Sequence, residues 1–187
     1  TKQAGHIWNK DLNGTMEENQ YRRLRSDQCV YIRGINKDLT KLVIVVVYVD
    51  DILVIGHTRA LAERRRIIEA LKSKYNVKEM GQVTRYLGIT VNRNRKDGIM
   101  VVSQRDFAIQ VLERFQMKEC LPVATPLSLK PDLEPRRENE PRANQPYRSL
   151  VGSLMYLTMC TRPDLAHSVG VLSRFLEDPA ERHWEMG

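Results

Sequence analysis

The chain is short of cysteine, histidine and aromatic residues, and each shortage excludes something. Its three cysteines, Cys29, Cys120 and Cys160, are scattered through 187 residues. They follow no metal-ligand spacing and suggest no disulfide framework, which points to a reducing compartment. The four histidines, His6, His57, His167 and His183, are equally scattered, so no structural zinc site is expected. No apolar run approaches the roughly 18 residues of a membrane-spanning helix, and no membrane partner is expected. The N-terminus, TKQAGHIWNK, has neither a signal-peptide apolar region nor an initiator methionine. The C-terminal AERHWEMG stops as a helix begins, so the chain reads as a piece of a longer polypeptide. There are no internal repeats.

What is present suits one domain or two small ones. The chain is 42% hydrophobic and 28% charged, enough to build a core. Its net charge of +7 favours a polyanionic partner. Residues 59–78 concentrate that charge in Arg59, Arg64, Arg65, Arg66, Lys72, Lys74 and Lys78, against Glu63 and Glu69. Such a run serves a solvated helix face as well as a nucleic-acid surface.

Periodicity gives the order of elements. Trp8, Leu12 and Met16, four apart, predict a helix over 4–18. Strands are expected at 29–33, 42–49 and 52–55, with a turn from Gly34 to Asp38. Thr58 is the expected cap of a helix whose stripe is Leu61, Ile68, Leu71 and Tyr75, arginines opposite. Val83–Asn94 and Ile99–Gln104 flank Asp97-Gly98, a hairpin signal. Ser103 and Asp106 form an S-x-x-D start for a helix through Phe107, Val111, Leu112 and Phe115. Residues 122–146 hold six of the eight prolines and read as a linker or extended arm. Two helices follow, the second opened by Pro163. The class is α+β: an antiparallel-sheet unit followed by a helical region.

Two carboxylates interrupt the most apolar stretch, LVIVVVYVDDILVIGHT at 42–58. Asp50-Asp51 falls where two strands meet, in the two-residue position of a tight hairpin. Aspartate is common in turns. Here the flanking strands are apolar on both faces, so the hairpin is expected to be largely buried. Two carboxylates 4 Å apart repel by roughly 4 kcal/mol at an effective dielectric near 20, and burial adds desolvation. A hard divalent cation such as Mg²⁺ relieves both, because it takes carboxylate and phosphate oxygens. Paired ions of this kind serve in-line displacement at phosphorus.

Tyr48-Val49-Asp50-Asp51 resembles the Y-x-D-D motif of reverse transcriptases. KQAGHIW (2–8) is similar to the K-Q-A motif of copia-type LTR-retrotransposon polymerases, and DQCVYI (27–32) to their D-P-C-L-Y strand, with Gln28 in place of proline. RYLGITV (85–91) resembles the primer-grip segment. SQRDFAIQVLERFQM, PVATPL, PYRSLVGSLMYL and TRPDLAHSVGVLSRF resemble segments downstream of that family's palm. The resemblance covers essentially the whole chain, in order.

It implies a right-hand polymerase: a partial palm with the Y-x-D-D hairpin and primer grip over 1–102, a thumb-like helix over 103–121, the linker at 122–146, and a helical thumb or connection segment over 147–187, ahead of an RNase H domain. Asp50 would be the stronger ligand of Mg²⁺ (or Mn²⁺) and Asp51 the auxiliary one. Val49 would pack near the primer end or the incoming dNTP, with Tyr48 supporting the hairpin and Lys2 and Gln3 near the nucleotide. Leu87 and Gly88 would form the primer grip; a bulge in a hairpin is the plain alternative. Arg64, Arg65, Arg66, Lys72, Lys74 and Lys78 would face the backbone of an RNA/DNA template–primer duplex. Lys78 serves either as a proton donor to pyrophosphate or as a solvated lysine. Fingers, RNase H and integrase of the Pol polyprotein are the implied protein partners, in a cytoplasmic virus-like particle or the nucleus. The family also needs a carboxylate upstream of K-Q-A; Asp11 and Asp27 stand at non-catalytic positions of the pattern. Two readings therefore stand: a fragment of an RNA-directed DNA polymerase performing two-metal nucleotidyl transfer, or an inactive truncated remnant that binds nucleic acid at most. A different Mg²⁺ phosphotransfer enzyme fits the Asp-Asp pair but not the ordered string of segments.

Overall fold

The computed structural model describes residues 2–34, 38–127 and 134–187, the side chain of Lys2 excepted. The chain forms two compact units, Thr1–Met80 and Gly81–Gly187, both α+β with antiparallel sheets. The segment 1–102, expected as one palm piece, runs through both units.

In the first unit, α1 (Lys2–Glu18) leads into β1 (Arg22–Arg23), β2 (Val30–Arg33), β3 (Val43–Tyr48) and β4 (Asp51–Gly56), then α2 (Leu61–Lys74). The four strands lie in sequence order, each antiparallel to the next. Alternation along β3 explains the layering: Val43, Val45 and Val47 are buried while Tyr48 is exposed. These valines meet Leu12 and Met16 of α1 and Ile67 and Leu71 of α2 in one core, with Tyr21 and Tyr31. Each Leu, Ile or Met fully buried there contributes roughly 1.5–3 kcal/mol.

Two local expectations are corrected. Thr58 does not cap α2; a short 3₁₀ turn, Thr58–Ala60, comes first, and His57 caps it by accepting the Arg59 N–H at Nδ1, 3.1 Å away. The stripe of α2 is also rotated. Ile67 and Leu71 are buried, whereas Leu61 is 47% exposed. The 3₁₀ turn shifts the helix start, so the inward face begins at buried Ala60. The expected turn at 34–38 lies mostly in residues outside the described ones.

The second unit holds β5 (Arg85–Tyr86), β6 (Ile89–Asn94), β7 (Ile99–Ser103), α3 (Arg105–Arg114), α4 (Tyr147–Cys160), α5 (Ala166–Ser173) and α6 (Glu181–Glu185). The stretch 83–94 is not one strand. Leu87–Gly88 turns it back on itself, with Tyr86 opposite Ile89. Both turn residues have positive φ, 48° and 81°. That is a two-residue hairpin turn of the primed kind, not a bulge. The Asp97-Gly98 hairpin is present, closed by Asn94 opposite Ile99. Ser103 helps start α3 by accepting the Arg105 N–H at 3.1 Å, with Gln104 at the cap.

Tyr147, Val151, Val169, Val171, Leu172 and Phe175 form the second core. The Tyr147 hydroxyl donates to the Leu172 carbonyl at 2.8 Å, and burial pushes its pKa up to about 12. The described end of the proline-rich segment is an arm held on α6 and the residues before it. Arg136 pairs with Asp178 at 2.9 Å, Arg182 with Glu140, and Arg142 bridges to Ala180. His183 is buried and stacked on Phe175, 3.8 Å between ring centres. Its Nδ1 accepts the Ala180 N–H, so its Nε2–H donates to the Glu134 carbonyl, 3.0 Å in each case.

Candidate functional site

The β3–β4 hairpin sets the candidate site. Tyr48 is the register partner of Asp51, so the two-residue turn is Val49–Asp50, one residue earlier than the apolar pattern suggests. Asp51 opens β4. The expectation of burial is also corrected: Tyr48, Val49, Asp50 and Asp51 are all exposed, Val49 by 69%. The sheet buries its valines only up to Val47; beyond it the side chains of the tip are exposed, although Trp8 of α1 still reaches its backbone. Exposure screens the repulsion between the carboxylates, so repulsion alone does not demand a cation.

Two other features set the tip apart. Val49 sits at φ 55°. A positive φ at the first of two turn residues is the II′ pattern, ordinarily given to glycine. A β-branched residue there is a genuine outlier, costing on the order of 1–3 kcal/mol. The tip is also pinned. The Trp8 indole N–H of α1 donates to the Val49 carbonyl at 2.8 Å. Trp8 in turn packs edge-on against Tyr75, ring centres 5.0 Å apart. Tyr75 is hydrogen-bonded to Thr15 and Asp11 at 2.7 Å each.

Asp50 and Asp51 have no hydrogen-bond donor or cation on them within the described residues. As exposed, acceptor-only oxygens they suit a hard divalent cation. Two carboxylates on one turn do not make a closed set. Among the described residues no group of three or more His, Cys, Asp or Glu is placed to hold a metal. Asp11 and Asp27 are committed elsewhere. The Tyr75 hydroxyl, then Lys74, hold the Asp11 carboxyl below its ordinary value. Asp27 accepts the Cys29 N–H at 2.8 Å, closing the turn before β2.

Gln3 is exposed on the first turn of α1, the helix that carries Trp8. Beside the tip, a groove of about 200 Å³ opens between α1 and the sheet, lined by Gly5, Trp8, Tyr31, Val47 and Val49 among others. Three of the six expected backbone cations, Arg66, Lys72 and Lys74, are ion-paired within the unit. Arg64 is half-buried, its stem against Gly56 and its buried Nε without an acceptor. Glu63 binds Arg33 at 2.7 Å and Arg66 at 3.5 Å. Lys72 pairs with Glu79 at 2.6 Å and Lys74 with Asp11 at 3.0 Å. Arg65 and Lys78 are exposed and form no salt bridge with a described residue, although the Arg65 charge helps Lys72 hold Glu79 below its ordinary pKa.

In the second unit, the Tyr156 hydroxyl of α4 donates to the Leu87 carbonyl. A Cβ on Gly88 would lie 3.1 Å from that hydroxyl. The roles of Trp8 and Tyr156 were missed by sequence reasoning. The available signal was chemical: a packed Trp or Tyr ordinarily finds an acceptor for its N–H or O–H.

Comparison with known proteins matches residues 1–129 to the family model described as reverse transcriptase (RNA-dependent DNA polymerase). The chain belongs to that family. It is 37% identical over 190 residues to the retrovirus-related Pol polyprotein from transposon TNT 1-94 of Nicotiana tabacum, covering 98% of this chain and 14% of that protein. It is 32% identical over 185 residues to the Pol polyprotein from transposon RE2 of Arabidopsis thaliana, covering 98% and 12%. A putative transposon Ty5-1 protein of Saccharomyces cerevisiae is 27% identical over 184 residues, covering 98% and 58%. Within the family the chain is thus of the copia type, a reverse transcriptase-like part of a retrotransposon Pol polyprotein. It spans 14% and 12% of the length of the first two relatives. No solved structure matches the chain.

Proposed function

We propose that the Tyr48–Asp51 tip is the two-carboxylate part of an RNA-directed DNA polymerase centre on a palm floor, acting within a Pol polyprotein. The observation that carries this is the conjunction at the tip: a β-branched residue held at φ 55° beside two exposed, unpaired carboxylates. Backbone strain persists where function requires a geometry that stability does not.

In this reading Asp50 is the principal ligand of Mg²⁺ (or Mn²⁺) and Asp51 the auxiliary one. Bound divalent cations supply charge neutralisation and orientation at the phosphate under attack. The chain's own residues do the positioning. Trp8 holds the Val49 carbonyl, so the turn cannot relax toward an unstrained conformer. Val49 presents an apolar surface to the primer end or the base of a dNTP, and Tyr48 supports the hairpin from the opposite strand. Lys2 and Gln3 serve the incoming nucleotide. Leu87 and Gly88 approach the primer backbone, Gly88 because no side chain stands in the way. Arg65 on α2 and Lys78 beyond its end are the partners for template–primer phosphates, while Arg64, Arg66, Lys72 and Lys74 are held in internal contacts. Fingers, RNase H and integrase are the proposed partners in the polyprotein. The 1–102, 103–121, 122–146 and 147–187 segments stand as palm, thumb helix, linker and connection.

Because two carboxylates from one turn approach a cation from one side, the isolated chain is expected not to extend a primer. The test is primer extension with Mg²⁺ by the chain alone, by its parent Pol polyprotein, and by that polyprotein carrying Asp50→Asn. Extension only by the unsubstituted polyprotein supports the reading. Undiminished extension by the Asp50→Asn polyprotein overturns it.

A further inference from the structure

We propose a second nucleic-acid contact at the β6–β7 hairpin tip of the second unit, where Arg93, Arg95 and Lys96 bind the phosphate backbone of a duplex. The proposal takes its ligand from the function proposed above and its location from a different observation. Of the seven cations of 59–78, Arg66, Lys72 and Lys74 are ion-paired within the first unit, so the density of charge there overstates what a polyanion can reach. The β6–β7 tip is the reverse case. Arg93, Arg95 and Lys96 are exposed, and within the described residues none has a carboxylate or carbonyl partner.

The one acid in the loop is diverted. Asp97 accepts from Asn94 Nδ2 at 2.6 Å. Asn94, through its Oδ1, accepts the backbone N–H groups of Lys96 and Asp97 at 3.0 and 3.2 Å. Asn94 thereby shapes the loop and draws its carboxylate toward the turn. Gly98, at φ 68°, completes the reversal with no side chain on it. A tip fixed by its own side chain loses little freedom on binding. Three cations within four residues then meet a ligand that carries, on each strand, one phosphate per roughly 3.4 Å of helix axis. Across the sheet Arg85 adds a further exposed cation on β5.

Arginine forks match phosphate and carboxylate oxygens alike, so what favours a duplex over an acidic peptide is the dense, regular spacing of its charges. β6 rises about 17 Å from the Leu87–Gly88 turn to the basic tip, about five base-pair steps. A duplex lying along β6 would therefore span both ends of the hairpin.

The test is titration of the full 187-residue chain with a fluorescent RNA–DNA hybrid duplex across a salt series, with poly-glutamate as competitor. Variants are Arg93→Gln/Arg95→Gln/Lys96→Gln, Arg65→Gln/Lys78→Gln and Asp50→Asn. Each phosphate contact adds about 0.9 to the slope of log affinity against log salt and about eightfold in affinity at 0.1 M salt. The tip variant is expected to lose two or three contacts, hence on the order of 60-fold or more, with an unchanged thermal midpoint. Asp50→Asn should leave the slope untouched. A tip variant with the parent slope, a parent chain that binds no duplex, or displacement by poly-glutamate as effective as by duplex overturns the proposal. Each of these results leaves the Asp50 reading standing, because that reading is judged on primer extension.

Discussion

The two units each carry a tight two-residue turn with an exposed aliphatic residue at positive φ, and the two are built differently. In the first unit Val49 takes φ 55° with no glycine in the turn. In the second, Leu87 at 48° is followed by Gly88 at 81°, so one of its two left-handed positions costs nothing. Both are held by an aromatic donor on the carbonyl of the strained residue, Trp8 on Val49 and Tyr156 on Leu87. The shared device shows how a fold keeps an exposed apolar side chain at a turn tip in a fixed direction. The difference shows where geometry is kept at the expense of stability. A glycine would relax the Val49 turn, and valine stands there beside two carboxylates.

The comparison breaks most severely at Gly88. Gly88→Val puts a β-branched side chain at φ 81° and against the Tyr156 hydroxyl. The second unit should lose roughly 2–3 kcal/mol. Amide hydrogen exchange resolves this, because it reports each unit separately. Faster exchange over β5–β7 and α4, with β3–β4 unchanged, is the expected result.

Val49→Gly sharpens the contrast from the other side. Releasing strain offsets the glycine's extra backbone entropy and should slow exchange in β3–β4, a net gain of about 1 kcal/mol. The same change in the parent polyprotein should lower primer extension. A Val49→Gly protein that is less stable would show that the turn carries no strain.

Trp8→Phe keeps a packed ring and removes the N–H donated to Val49 together with the extra ring of the indole. The expected loss is about 1 kcal/mol, confined to the first unit. Tyr156→Phe should do the same in the second. Equal effects would mean that the two pins act alike despite the glycine.

A further effect concerns pH. The Tyr147 phenol is held neutral by burial, its pKa raised from 10.0 to about 12. A raised pKa contributes stability that is complete below the unfolded value and is lost as pH rises through the folded one. The second unit should therefore weaken between pH of about 10 and about 12. Tyr147→Phe should remove that component while costing about 1 kcal/mol for the bond to Leu172. Alkaline exchange profiles of the two proteins measure the difference.

Much of this was legible in the residues. Alternating valines at 43–47 fix one face of β3, and Trp8, Leu12 and Met16 mark the inner face of α1. The position of the carboxylates at a strand junction was readable too. Their register was not, because apolar residues flank either choice of turn, and only the pairing of Tyr48 with Asp51 decides it. Exposure of the tip was equally hidden, since periodicity does not say how much of a strand end its neighbours cover. The cations of α2 misled for a related reason. Lys74 meets Asp11, and a pair so distant in sequence leaves no local mark; the Arg66 pair with Glu63, three residues away on the same helix, was readable.

The central claim is that the strained tip holds Asp50 and Asp51 for a divalent cation. Nuclear magnetic resonance of the ¹⁵N-labelled chain titrated with Mn²⁺ tests it directly, because the bound ion broadens amides near it. The expected result is broadening centred on residues 48–52, weakly saturating, competed by Mg²⁺ and lost in Asp50→Asn. Broadening centred elsewhere, or unchanged by Asp50→Asn, would contradict the account.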